Sequence, residues 1–281
     1  MIRVAAAQIN PRLGDCEWNL GIVERVFVQA AGAGAQLIVF PECSLTGYVF
    51  NSLDEALTVA EPIPGPLSDY VAGLSRRHGI YAVVGTLERV GDRCYNTALL
   101  AGPSGVEAIY RKTHTLCLGV DRFTTPGDIP YHVYDLPIGR LGILICYDLR
   151  FPEPARILAL SGAQVIALPT NWPRTSNIQA DVFTRSRAAE NRVFVVACDR
   201  VGTERDATFL GRSQIVGPSG DVLKEGSTQR EELVIADIDP GEADTKRVVV
   251  RAGVHEMDCI ADRRPELYGA LAVRQSVETL Q

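Results

Sequence analysis

The chain has 281 residues, 46% of them hydrophobic, and a formal net charge of −6. That is ample material for the core of one large domain or two small ones, and mild acidity without a basic stripe argues against nucleic acid as a partner. No apolar run approaches the roughly 20 residues that span a bilayer, and the opening MIRVAAAQINPR lacks the pattern of a signal peptide, so the expectation is a cytoplasmic protein with no membrane partner.

The first predicted element is a short strand, RVAAAQ at residues 3 to 8, followed by a helical span at 19 to 31. A buried strand around QLIVF comes next and runs into FPECSLTGY at 40 to 48. A helix at 66 to 78 and the apolar run IYAVVG follow. The alternating runs NTALLA and VEAIYRK then flank Gly102-Pro103-Ser104-Gly105, a hairpin turn. The second half opens on the strand LGILIC at 141 to 146, continues through helices at 153 to 161 and 177 to 191 and the run RVFVVAC, and closes on a second hairpin at Gly217-Pro218-Ser219-Gly220. From about residue 240 a polar, arginine-rich tail replaces the pattern.

The chain therefore repeats itself. Gly34-Ala35-Gln36-Leu37-Ile38 then Pro41 is matched by Gly162-Ala163-Gln164-Val165-Ile166 then Pro169, and the two hairpin turns recur in the same order. Uniformly apolar runs indicate strands covered on both faces. Two α/β units that each have a sheet face left to bury pack sheet on sheet, so the expected fold is a four-layer αββα sandwich of two similar halves. It reads as one domain over 1–281, with 240–281 a C-terminal extension that wraps the body or reaches a neighbouring subunit.

Against this frame certain residues stand out. Glu42 follows its strand and Pro41, yet the matching position in the second half is Thr170, so the frame does not demand a carboxylate there. Cys146 ends its strand where the first half has Gln8. It faces the strand edge at which α/β proteins build sites, although a buried cysteine is also a plain small hydrophobe. Cys43, Cys94, Cys117, Cys198 and Cys259 take that second reading, and Cys16 a surface one. Seven scattered cysteines without a C-x-x-C pair speak against a disulfide framework or a zinc site. Only three lysines accompany twenty-five arginines, and Lys112 is retained directly beside Arg111. A compact ammonium approaches a developing oxyanion where a guanidinium does not fit, but a surface lysine is the alternative. A thiol also needs a base. His114, two residues past Lys112, offers a protease-like dyad with Cys146 or is simply a structural histidine.

Together, VAAAQIN, FPECSLTGY, YRKTH, FTTPGD, GILICYDLRFPE, ALPTNWP, RAAENRVFVVACDRVG, GRSQIVGPSG and RRPELY resemble the nitrilase superfamily of carbon-nitrogen hydrolases over nearly the whole chain. The resemblance implies a triad of Glu42, Lys112 and Cys146, no metal and no organic cofactor, and a homodimer or higher homo-oligomer. Relatives carry a second acid, usually glutamate, after the lysine motif. Here the nearest match is Asp121, which either helps to position substrate or water or forms a surface pair with Arg122. The CYDLRFPE and TNWP elements resemble the amidase branches, so the expected substrate is a small carboxamide. Hydrolysis of an N-carbamoyl amine or a nitrile by the same triad is the alternative, as is a metabolite-binding protein without activity. The backbone N–H of Tyr147 is the expected second oxyanion donor, while Tyr48, Asn171 and Trp172 either shape the pocket or are packing.

Overall fold

The computed structural model describes residues 1–273. The first half comprises β1 (Ile2–Gln8), α1 (Cys16–Gly32), β2 (Leu37–Val39), α2 (Leu53–Leu57), α3 (Pro66–His78), β3 (Tyr81–Val90), β4 (Arg93–Gly102) and β5 (Gly105–Arg111). The second runs through β6 (Val133–Leu136), β7 (Gly139–Ile143), α4 (Pro152–Leu160), β8 (Val165–Pro169), α5 (Thr184–Asn191) and β9 (Phe194–Cys198). It continues with a small hairpin, β10 (Thr203–Glu204) and β11 (Ala207–Thr208), then β12 (Gln214–Val216), β13 (Val222–Glu225) and β14 (Glu232–Ile238). A tail hairpin, β15 (Arg247–Arg251) and β16 (His255–Asp258), follows.

Two six-stranded mixed sheets result, in the orders β14-β1-β2-β3-β4-β5 and β13-β12-β9-β8-β7-β6. In each, three central strands run parallel, β1-β2-β3 and β7-β8-β9, with antiparallel strands outside them. The sheets meet through β1, β2 and β3 against β8 and β9, and helices cover the outer faces. This is the expected αββα sandwich. Burial on both faces is why Val83, Val84, Leu168 and Val196 are fully enclosed and why the sequence there is uniformly apolar. Helix α1 buries Ile22, Val23, Val26, Phe27 and Ala30, a stripe one helical face wide, and its amino end is capped by the Asp15 carboxylate accepting from the Trp18 N–H.

Several expectations need correction. Val4 pairs with Leu37 as Leu141 pairs with Val165, so the sheet register matches Cys146 to Ile9 rather than Gln8. β14 leaves the second half to pair with β1, Ile2 against Ile238 and Gln8 against Glu232, partners 224 to 236 residues apart in sequence. Cys117 is exposed and Cys259 is half-buried, because they lie on a loop and on the tail; Cys16, at the start of α1, is half-buried against the core as well, while Cys43, Cys94 and Cys198 are buried as expected. The span at 177–191 is a π-helical turn at Gln179–Phe183 leading into α5. Of the proposed extension, 274–281 lies outside the described residues. No helix among the described residues is long and apolar enough to cross a membrane.

Candidate active site

Glu42 is carried by the turn that ends β2. The two halves meet here: the Glu42 N–H donates to the Thr170 carbonyl at 3.4 Å, and Asn171 Nδ2 donates to the Glu42 carbonyl at 2.9 Å. Positions 42 and 170 match in the repeat, so packing sheet on sheet brings the ends of β2 and β8 together. The turn then reverses at Cys43 in the left-handed region, φ 49°. Its backbone lies against Gly85 on β3, where a Cβ would come within 2.4 Å of the Cys43 nitrogen and the Pro41 oxygen.

Lys112 leaves β5 one residue past Arg111, and strand alternation separates the two. Arg111 pairs with Glu88 at 2.6 Å and Asp128 at 3.0 Å, while Lys112 points inward and is fully enclosed. Its Nζ lies 2.6 Å from Glu42 Oε1 and 2.5 Å from Asp121 Oδ2. Asp121 is therefore no partner of Arg122, whose guanidinium donates to the Gly119 and Phe50 carbonyls. A residue that sequence reading passed over completes the cluster. Asn96 Nδ2 donates to Glu42 Oε1 at 2.7 Å and to Asp121 Oδ1 at 2.9 Å. Its signal was a polar residue opening the otherwise apolar run NTALLA.

Cys146 follows β7 and opens a 3₁₀ turn, Cys146–Arg150, with its own φ at 44°. Left-handed backbone at a non-glycine residue costs on the order of 1–2 kcal/mol and needs enforcement by its surroundings. The enforcement comes from Asp148, which accepts from the Ile145 N–H at 3.0 Å, Tyr110 Oη at 2.7 Å and Thr113 Oγ1 at 3.0 Å, joining the Cys146 turn to the strand that leads to Lys112. His114 belongs to this knot, with Nδ1 2.7 Å from Asp148 Oδ1 and its ring stacked on Phe151 at 3.9 Å. It does not line the cavity with Cys146, and the structural reading of it holds.

That cavity has a volume of about 180 Å³ and is walled by Cys146, Tyr147, Tyr48, Leu118, Asn171 and Trp172, with Arg150, Ser176 and Gln179 adding a polar side that the sequence did not announce. Tyr48 is buried, its hydroxyl donating to the Leu118 carbonyl at 3.1 Å and its N–H to Glu204 Oε2 at 2.9 Å. The Trp172 N–H donates to Asp199 Oδ1 at 2.8 Å. Of the residues singled out from the sequence, Cys146, Tyr147, Tyr48, Asn171 and Trp172 line this cavity, while Glu42, Lys112 and Asp121 form the hydrogen-bonded cluster that Asn171 joins through the Glu42 carbonyl.

Electrostatics follow from the burial. Loss of water raises the Glu42 pKa; the Lys112 ammonium and the Asn96 amide oppose this and Asp121 adds to it, with a net rise. For Lys112 burial alone works downward, but the charges of Asp121 and Glu42 outweigh it and hold the ammonium well above its usual value. Burial, then the neighbouring Glu42 charge, pushes the Cys146 thiol well up, and Lys112 and the Asn171 backbone N–H recover only part. These directions favour an ammonium at Lys112 and a protonated thiol at Cys146.

A cysteine, a carboxylate and an ammonium are thus enclosed at the strand ends of an αββα sandwich. Residues 3–247 match the carbon-nitrogen hydrolase family, and the chain belongs to it: it is a cysteine-dependent carbon-nitrogen hydrolase of the nitrilase superfamily. It is 39% identical to a nitrilase of Pyrococcus abyssi, covering 95% of this chain and 99% of the relative, and 32% identical to an (R)-stereoselective amidase of Pseudomonas sp., covering 95% and 93%. Among solved structures it is similar to an amidase from Nesterenkonia sp. AN1, with TM-score 0.81, 26% identity and coverage of 96% and 100%; that structure, of a variant, shows the Michael addition of acrylamide at the active site cysteine.

Proposed function

We propose that this hydrolase converts a small carboxamide to its acid and ammonia through a thioester on Cys146. The observation that carries the reading is the state of the Glu42 carboxylate. Oε1 is held by Lys112 and Asn96, while Oε2 is buried without a partner among the described residues. A raised thiol pKa means that no thiolate waits in the resting site, so the Sγ proton passes to Glu42 as sulfur attacks the carbonyl carbon. Lys112 has three N–H donors and the two carboxylates occupy two of them, which leaves one for the oxyanion. The Tyr147 N–H is the second donor, and such donors contribute roughly 3–4 kcal/mol each. Glu42 then returns the proton to nitrogen, the C–N bond breaks and ammonia departs. Water attacks the thioester, giving one proton back through Glu42 to the sulfur, and the acid leaves.

Asp121 fixes the ammonium from the other side, and Tyr48, Asn171 and Trp172 confine the acyl group. The cavity volume supports an acyl chain of a few heavy atoms. A second reading, nitrile hydrolysis through a thioimidate, is favoured by the identity to the Pyrococcus nitrilase. Offering the enzyme amides, nitriles and N-carbamoyl amines of equal chain length, and measuring ammonia and carbon dioxide, separates these readings. Ammonia from amides alone supports ours, and turnover confined to either other class overturns it.

We also read the tail as a contact with a second copy in a cytoplasmic homo-oligomer. Val249, Val250 and Val254 on its hairpin and Leu267 and Leu271 beyond it are exposed, an apolar density uncommon on a free surface.

A further inference from the structure

Four buried side chains, Glu42, Asn96, Lys112 and Asp121, form a closed ring: each carboxylate accepts once from the Lys112 ammonium and once from Asn96 Nδ2. Chemistry settles the orientation of the amide, since an oxygen placed between two carboxylates would set lone pair against lone pair. The other end agrees, because Asn96 Oδ1 accepts from the Cys43 thiol at 3.5 Å. Backbone geometry ties the ring to its strands, with the Lys112 N–H donating to the Asn96 carbonyl at 2.8 Å. Glu42 Oε2 is the one carboxylate oxygen of the ring with no partner among the described residues.

We propose that Asn96 is a positioning residue for proton transfer: with Lys112 it occupies Oε1 and so presents Oε2 to the Cys146 proton, and as a neutral double donor it lets two carboxylates share one ammonium. This rests on the reading of Glu42 as the base. Without the amide the two carboxylates lose the neutral donor they share, the carboxylate of Glu42 rotates, and a larger fraction of it is protonated at a given pH.

The test is the second-order rate of Cys146 alkylation by iodoacetamide as a function of pH, read by peptide mass spectrometry so that the other six cysteines do not interfere, in the wild type and in Asn96→Ser, Asn96→Asp and Glu42→Gln. We expect the acidic limb to move up by about one pH unit in Asn96→Ser, a roughly tenfold slower reaction on that limb, and by at least as much in Asn96→Asp, which adds a third negative charge. An acidic limb unmoved in both Asn96 variants overturns the proposal. Loss of fold in both also counts against it, because that outcome describes a purely structural asparagine. If the limb persists in Glu42→Gln, the base assignment itself fails; if it vanishes there yet stays put in the Asn96 variants, only the role of Asn96 fails.

Discussion

Lys112 Nζ and Glu42 Oε1 lie 2.6 Å apart across 70 residues of sequence, both fully enclosed. A second carboxylate, Asp121, holds the same ammonium from its other side. Removing the cation from such a site leaves two buried negative charges with only the neutral Asn96 amide between them. Lys112→Met is expected to destabilise the protein by about 3–5 kcal/mol, measured by urea unfolding. Lys112→Arg keeps the charge but cannot place one donor against each carboxylate and one toward the oxyanion; a kcat reduced roughly 10²–10³-fold is expected, and wild-type turnover would show the lysine to be structural.

Cys146→Ala removes one sulfur from a residue that faces a cavity rather than packed hydrocarbon, so the fold should survive with a melting temperature within a few degrees of wild type. Ammonia release should fall to background. Residual turnover above about a thousandth of wild type would refute the nucleophile assignment.

The pH dependence follows from the directions of the shifts. Glu42 must be ionised to accept the thiol proton, and its pKa is raised from 4.5, so the acidic limb of kcat/KM is expected above the ordinary carboxylate range. The Lys112 pKa is raised from 10.5. Its contribution to stability is then fully present below pH 10.5 and is lost only as pH climbs through the folded-state value. No alkaline loss of activity below pH 10 should trace to this lysine. A profile in Lys112→Arg that differs from wild type on the alkaline side below pH 10 would contradict this.

Gly85 lies beneath the turn that carries Glu42, with its would-be Cβ 2.7 Å from the Glu42 Cα and closer still to two backbone atoms. Backbone cannot swing aside as a side-chain tip can. Gly85→Ala should therefore lower kcat by at least tenfold and cost about 1–3 kcal/mol in a thermal melt, despite the substitution lying outside the cavity. Unchanged kcat would mean that the turn tolerates a shift.

If the tail hairpin covers a second copy, charge on its apolar face should undo the contact. Val250→Asp combined with Leu271→Asp is expected to shift sedimentation toward the monomer while each chain stays folded. A wild-type protein that sediments as a monomer at micromolar concentration would remove the basis of this prediction.

The duplicated Gly-Ala-Gln strand starts and Pro-Ser-Gly turns specify two α/β units, since local propensity and periodicity act over a few residues. Glu42, Cys146 and Lys112 stood out because the repeat has Thr170 opposite the first, a non-cysteine opposite the second, and an arginine-rich composition around the third. What the sequence alone determined was the kind of layers and the kind of chemistry. Which side chains share an oxygen was decided only by packing: Asn96 looks like one polar residue in an apolar strand until β4 lies beside β3 and β5, and β14 shows no sign of leaving its half to pair with β1. Those placements depend on long-range burial of two sheet faces against each other, an energy that accrues between residues far apart in the chain and so leaves no local mark.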